Sequence, residues 1–175
     1  GKIPITGATA MYHFNKSARI QRLLHALKYR NKPEVGTLLG QLIGHVLKNY
    51  LPYNTCDILV PVPLHPDKEK KRGYNQSTMV AMGIANVLQK PVIADAVMRV
   101  EYTDSQTKKS VIARWENVKD KFVCNPIYFE ELRGKHFLLI DDVITTGSTM
   151  ESCAVALLQI PGVQVSIAAV AHAEY

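Results

Sequence analysis

The stretch FLLIDDVITTGSTM, residues 137–150, runs from an apolar segment into two adjacent aspartates, Asp141 and Asp142, and then into threonines, a glycine and a serine. A short, continuous apolar run suits a strand buried on both faces of a parallel sheet. In open parallel sheets ligands bind beyond the carboxyl ends of the strands, where Asp141 and Asp142 fall. The following TTGST can wrap an anion with backbone N–H groups. Gly147 allows close approach, and the hydroxyls of Thr145, Thr146, Ser148 and Thr149 add donors. A helix beginning near Ser148 would direct its positive dipole end at the same anion.

A single ligand satisfies both halves of this stretch if it carries a phosphate at one end and, a few ångströms away, hydroxyls that donate to the carboxylates. Ribose 5-phosphate has that layout. The competing reading is an ordinary capping box between Ser148 and Glu151, with the aspartates in a solvated turn. A Walker loop is excluded because no G-K-[ST] follows the strand, and an EF-hand lacks its spaced acidic ligands. A phosphoacceptor receiver domain would need a further aspartate and a lysine downstream, and the chain has neither after Asp142.

Outward from this stretch, strand and helix alternate. ILVPV from Ile58 reads as a buried strand, NQSTMVAMGIANVLQ as a helix, VI at Val92 as a short strand, STMESCAVALLQ as a helix and VQVSIAAVA as the final strand. Such alternation predicts an α/β fold with a mainly parallel twisted sheet flanked by helices. Nearer the start, Ser17 can cap a helix with Ile20, Leu23, Leu24 and Leu27 on one stripe and basic flanks. A second helix is expected from Pro33, its apolar Val35, Leu38, Leu39, Leu42, Ile43 and Val46 at helical spacing. Gly36, Gly40 and Gly44 would form a smooth ridge packing closely onto a sheet. Residues 1–50 thus read as a basic helical part, and the polar residues 101–121 as a functional lid.

The 175 residues, 47% of them hydrophobic, suit one domain with a sizeable core. No apolar run approaches the roughly 20 residues needed to span a bilayer, and no secretory signal opens the chain, so a cytoplasmic protein without membrane insertion is expected. Cys56, Cys124 and Cys153 lie far apart, which excludes a disulfide framework or a zinc ribbon, and the histidines show no metal-ligand spacing. Of the net charge of +6, the excess sits early: residues 1–72 hold 12 Lys and Arg against 4 Asp and Glu. That asymmetry favours phosphate-rich ligands or nucleic acid, or else marks a solvated basic helix face.

FLLIDDVITTGST is similar, position for position, to the phosphoribosyl pyrophosphate (PRPP) signature of type I phosphoribosyltransferases. HALKYRNK, ILVPVPLHPDKEKKRGYNQS and MRVEYTDSQTKKSVIARWENVKDKF resemble the ComF/GntX family of competence-associated phosphoribosyltransferase-like proteins. The resemblance runs from about Ala8 onward. It lacks the N-terminal four-cysteine zinc module usual in that family, and the chain starts where the module would end, so truncation is expected. The resemblance implies the type I phosphoribosyltransferase fold with a flexible hood. It also implies that Asp141 and Asp142 accept the ribose hydroxyls while Thr145, Thr146, Gly147, Ser148 and Thr149 hold the 5-phosphate. After ILVPVPL a pyrophosphate loop is expected, where Lys70, Lys71, Arg72 and Gly73 meet the diphosphate and its Mg²⁺. Asp141, Asp142 and Arg72 are the catalytic candidates, and no residue is expected to bind metal directly. Asn75 fits a cap of the next helix. In the hood, Gln106, Arg114 and Asn117 match the family pattern; Arg114 reaches phosphate or forms a surface salt bridge, and Trp115 packs on the core or stacks on a base.

The implied activity is Mg²⁺-dependent transfer of phosphoribose, with pyrophosphate release, to an acceptor the sequence does not name. The alternative is a PRPP- or nucleotide-binding accessory protein in DNA uptake, with single-stranded DNA or competence proteins as partners. Plain nucleic-acid binding through the basic first part is a third reading, little supported by 7% aromatic residues.

Overall fold

The computed structural model of the chain describes residues 3–14, 18–100 and 121–173. Ser17 and the hood residues Gln106, Arg114, Trp115 and Asn117 lie outside them. The elements run β1 (Gly7–His13), α1 (Ala18–Tyr29), α2 (Pro33–Leu47), β2 (Ile58–Pro61), α3 (Pro66–Arg72), α4 (Gln76–Leu88), β3 (Val97–Val100), β4 (Lys121–Cys124), β5 (His136–Ile144), α5 (Ser148–Leu157) and β6 (Gln164–His172). Four strands form a parallel sheet in the order β1-β6-β5-β2, and β3 pairs with β4 in a separate antiparallel ribbon. The expected α/β architecture is present. The VI strand shrinks to one parallel bridge between Val92 and Leu59.

β5 is central because its sequence is apolar on both faces. Phe137, Leu138, Leu139 and Ile140 are all fully buried, each contributing about 1.5–3 kcal/mol by leaving water. Successive side chains alternate, so Leu138 and Ile140 join the core beneath α1, α2 and α4. Phe137 and Leu139 join the opposite core with Met150, Cys153 and Leu157 of α5 and with Val97 of β3. The chain therefore leaves β2 by α4 over one face and leaves β5 by α5 over the other. Sheets of this kind hold ligands at the carboxyl ends of the strands where the helices diverge, here β2 and β5.

Two expectations change. The first fifty residues are not only helical, since Gly7–His13 forms edge strand β1 against β6. The glycine ridge of α2 packs on α4 rather than on the sheet. A Cβ on Gly40 would sit 2.1 Å from the Val80 carbonyl oxygen, and one on Gly83 would sit 2.2 Å from that of Thr37, so the helix backbones touch. Turning the glycines, Leu39 and Ile43 inward leaves Leu38, Leu42 and Val46 on the exposed side of α2.

Candidate functional site

The two aspartates at the end of β5 point to opposite faces of the sheet, because consecutive strand residues alternate. Asp141 lines a shallow cleft with Val143, Ile144 and the 145–150 segment. Its Oδ1 accepts a hydrogen bond from Ser77 Oγ at 2.8 Å and another from the Asp142 backbone N–H at 2.8 Å. Its pKa is raised from the usual carboxylate range to about 7, first because the packed elements strip it of water and next because Asp142 lies beside it, against the lowering effect of the Ser77 bond. Asp142 turns under α1 and is 3% exposed. Its Oδ1 accepts from the Val143 N–H at 2.9 Å. Lys28 Nζ lies 2.7 Å from its Oδ2, an ion pair whose angles fall outside hydrogen-bond geometry.

The anion loop is built as its residue types require. Gly147 adopts φ 80°, a left-handed conformation that favours glycine, and stands as the N-cap of α5 without any side-chain cap. The capping-box arrangement of Ser148 and Glu151 is therefore not formed; the Ser148 N–H meets Thr146 Oγ1 at 3.4 Å, and Ser148, Thr149 and Met150 of the first turn line the cleft. Thr145, Thr146, Ser148 and Thr149 are all exposed around it. Thr146 Oγ1 and Ser148 Oγ stand 3.1 Å apart, so the loop gathers hydroxyls as well as amides.

The segment expected as a pyrophosphate loop is instead the short helix α3. His65 caps it by accepting from the Asp67 N–H at 3.2 Å, Pro66 starts it, and Gly73 ends it at φ 87°. Lys70, Lys71 and Arg72 occupy its last turn, where the helix dipole favours cations. None of Lys71, Arg72 and Gly73 lines the cleft of the anion loop. Arg72 Nη1 instead donates to Gln76 Oε1 at the start of α4.

Residues 72–77 tie the site together, a role the sequence reading did not assign. The Tyr74 hydroxyl donates to the Leu27 carbonyl near the end of α1. Asn75 accepts from the Ser77 N–H at 2.9 Å, capping α4 as expected, while its amide donates to the Val62 carbonyl at 2.9 Å. Ser77 then holds Asp141. One short segment thus joins α1, the end of β2, α4 and β5 around the acidic pair. Ser77 and Lys28 are the site residues the sequence reading passed over. Both lie inside the segments that carry the family resemblance, the signal that could have singled them out.

A model of the phosphoribosyl transferase domain family matches residues 75–174. The chain is 31% identical over 141 residues to the DNA utilization protein YhgH of Escherichia coli, covering 78% of this chain and 60% of that protein. It is 28% identical to Competence protein F of Haemophilus influenzae, covering 86% and 67%. To Competence protein ComFC of Bacillus subtilis it is 29% identical, covering 58% and 38%. Among solved structures, the glutamine PRPP amidotransferase from B. subtilis complexed with ADP and GMP aligns at a TM-score of 0.52 and 18% identity, over 82% of this chain and 30% of that one.

Proposed function

From the premise that the chain belongs to the phosphoribosyl transferase domain family, on its ComF branch, we propose that it binds PRPP and transfers phosphoribose to an acceptor with release of pyrophosphate. The observation that carries this reading is one cleft lined both by Asp141 and by the glycine-led, hydroxyl-rich start of α5. The 5-phosphate sits on the amides and hydroxyls of Thr145, Thr146, Gly147, Ser148 and Thr149, and a ribose hydroxyl donates to the carboxylate that Ser77 holds in place. Asp142 turns under α1 and does not line this cleft, so in this reading the second hydroxyl reaches it only at Oδ1, the oxygen that Lys28 does not hold. As the anomeric carbon loses pyrophosphate it gains positive, oxocarbenium-like charge, so catalysis rests on stabilising the leaving group and excluding water. Arg72, with Lys71 and Gly73, serves the diphosphate in this reading, approaching it from α3 rather than from a loop.

Among the described residues no cluster of three or more His, Cys, Asp or Glu side chains could hold a metal. Mg²⁺ fits this site as a companion of the ligand, bound through diphosphate oxygens, which are hard ligands of the kind it prefers. When bound it supplies positive charge to the leaving group.

A second reading, a PRPP-binding accessory protein in DNA uptake that engages single-stranded DNA or competence proteins without turnover, draws support from the DNA utilization and competence names of the relatives. Incubating the protein with PRPP, Mg²⁺ and candidate acceptors while following pyrophosphate separates the two. Acceptor-dependent pyrophosphate release is expected. Saturable PRPP binding with no release, together with DNA binding that falls steeply with salt, favours the second reading. Absence of PRPP binding overturns both.

A further inference from the structure

Lys28 is the penultimate residue of α1, a helix otherwise notable for its exposed basic side chains, yet its own side chain is only 26% exposed and reaches Asp142, whose side chain is 5% exposed. Two features aim it there. The last carbonyls of a helix lack intrahelical partners, and Tyr74 satisfies that of Leu27, fixing the turn that carries Lys28. Asp142 Oδ2 has no hydrogen bond of its own and almost no contact with water, so the Lys28 ammonium is its charge partner. An unpaired carboxylate so deeply placed would be strongly unfavourable.

We propose that Lys28 is a positioning residue of the phosphoribose site, holding and neutralising Asp142 so that this carboxylate can accept a ribose hydroxyl from a ligand that is itself highly anionic. The inference rests on the phosphoribose reading of the same site. Two adjacent carboxylates would repel a ligand bearing a phosphate and a diphosphate, and one ammonium on the buried member halves that charge while leaving Asp141 facing the cleft. Lys28 holds the inaccessible Oδ2, while Oδ1, which accepts from the Val143 N–H, keeps a second lone pair for one further hydrogen bond. Lys28 acts through Asp142 rather than on the phosphates, and this distinguishes it from the basic residues of α3.

The test is Mg-PRPP affinity by calorimetry on the whole chain as wild type, Lys28→Arg, Lys28→Met, Asp142→Asn and the Lys28→Met/Asp142→Asn double variant. Lys28→Met should weaken binding about tenfold or more, the scale of a lost charge-assisted contact, while Lys28→Arg, which keeps the charge, restores most of it. In the Asp142→Asn background Lys28→Met should have no further effect, because no carboxylate remains to hold. If Lys28→Met alone fails to fold, the double variant, which leaves no unpaired buried charge, still gives the decisive comparison with Asp142→Asn. A further loss in the double variant means that Lys28 touches the ligand directly and overturns the proposal. Wild-type affinity in Lys28→Met overturns it too, leaving the phosphoribose reading standing. Failure of the wild type to bind PRPP removes that reading and the inference with it.

Discussion

Replacing Asp141 by asparagine should make the protein more stable at pH 8 and leave it unchanged near pH 4, which is a test of how the strand end treats its half-buried aspartate. Asn keeps an oxygen where Asp141 Oδ1 accepts from Ser77 Oγ and from the Asp142 N–H, so the local hydrogen bonds survive. What it removes is the ionisation. In the folded chain the Asp141 pKa is raised to about 7 from 3.8, chiefly by loss of water and then by Asp142. A folded-state pKa above the unfolded value means that the folded wild type holds the proton longer. Its stability therefore falls as pH rises from about 4 to 7, and the asparagine variant lacks that fall. Each unit corresponds to about 1.4 kcal/mol, so the full shift would set a ceiling of about 4 kcal/mol; the partial exposure of Asp141 brings the expected gain to about 1–3 kcal/mol at pH 8. Urea unfolding of both proteins at half-unit steps from pH 4 to 8 measures it. A difference that stays flat with pH, or a variant less stable at pH 8, would refute the reasoning. The same variant should bind PRPP more weakly. A residue that lowers stability while serving the ligand is the usual signature of a functional site.

Two further outcomes follow from the packing. Gly83→Ala puts a methyl 2.2 Å from the Thr37 carbonyl oxygen, and since both partners are backbone the helices must part, costing about 3 kcal/mol and roughly 6–12 °C in thermal midpoint; a midpoint within 2 °C of wild type would show that α2 and α4 do not meet this closely. Asn75→Ala loses both the cap of α4 and the buried bond to Val62 and should cost about 2 kcal/mol in urea unfolding, with Asn75→Asp also destabilised because its carboxylate then faces the Val62 carbonyl. An Asn75→Asp variant as stable as wild type would leave only the cap as the role of this side chain.

What the sequence makes legible here is whatever a local physical rule decides. A central parallel strand must be apolar on both faces, and FLLI is; a glycine must sit where φ is positive before an anion loop, and Gly147 does. α3 was legible by the same standard. Pro66 at its start, Asp67 and Glu69 in the first turn, Lys70 to Arg72 in the last and Gly73 after it are all helix signals, outweighed in the reading by the expectation of a basic loop. β1 was not legible, because GATAMYH alternates weakly and owes its strand conformation to pairing with β6 at the sheet edge. Nor was the partner of the glycine ridge. Gly36, Gly40 and Gly44 announce a close approach, but a lone Gly83 within α4 says nothing of which helix will meet it.

The acidic pair sits between these cases. That Asp141 and Asp142 share a strand is local, and adjacent strand residues point to opposite faces by geometry alone. It follows that the two carboxylates cannot be served by the same helix. Each needs its own partner from its own side, which the fold supplies as Ser77 from the start of α4 for Asp141 and Lys28 from the end of α1 for Asp142. The identity of those partners depends on tertiary placement, through the bonds that Tyr74 and Asn75 make to Leu27 and Val62. The pair therefore acts as two half-sites with different electrostatics, one facing the cleft with its proton affinity raised, the other buried against an ammonium. Because Asp142 itself raises the Asp141 pKa, removing the ammonium beside it also acts on Asp141, so Ser77→Ala and Lys28→Met should couple by about 0.5–3 kcal/mol in their effect on PRPP affinity. Strict additivity would mean that the two carboxylates do not sense one another and that Asp142 is not what raises the proton affinity of Asp141.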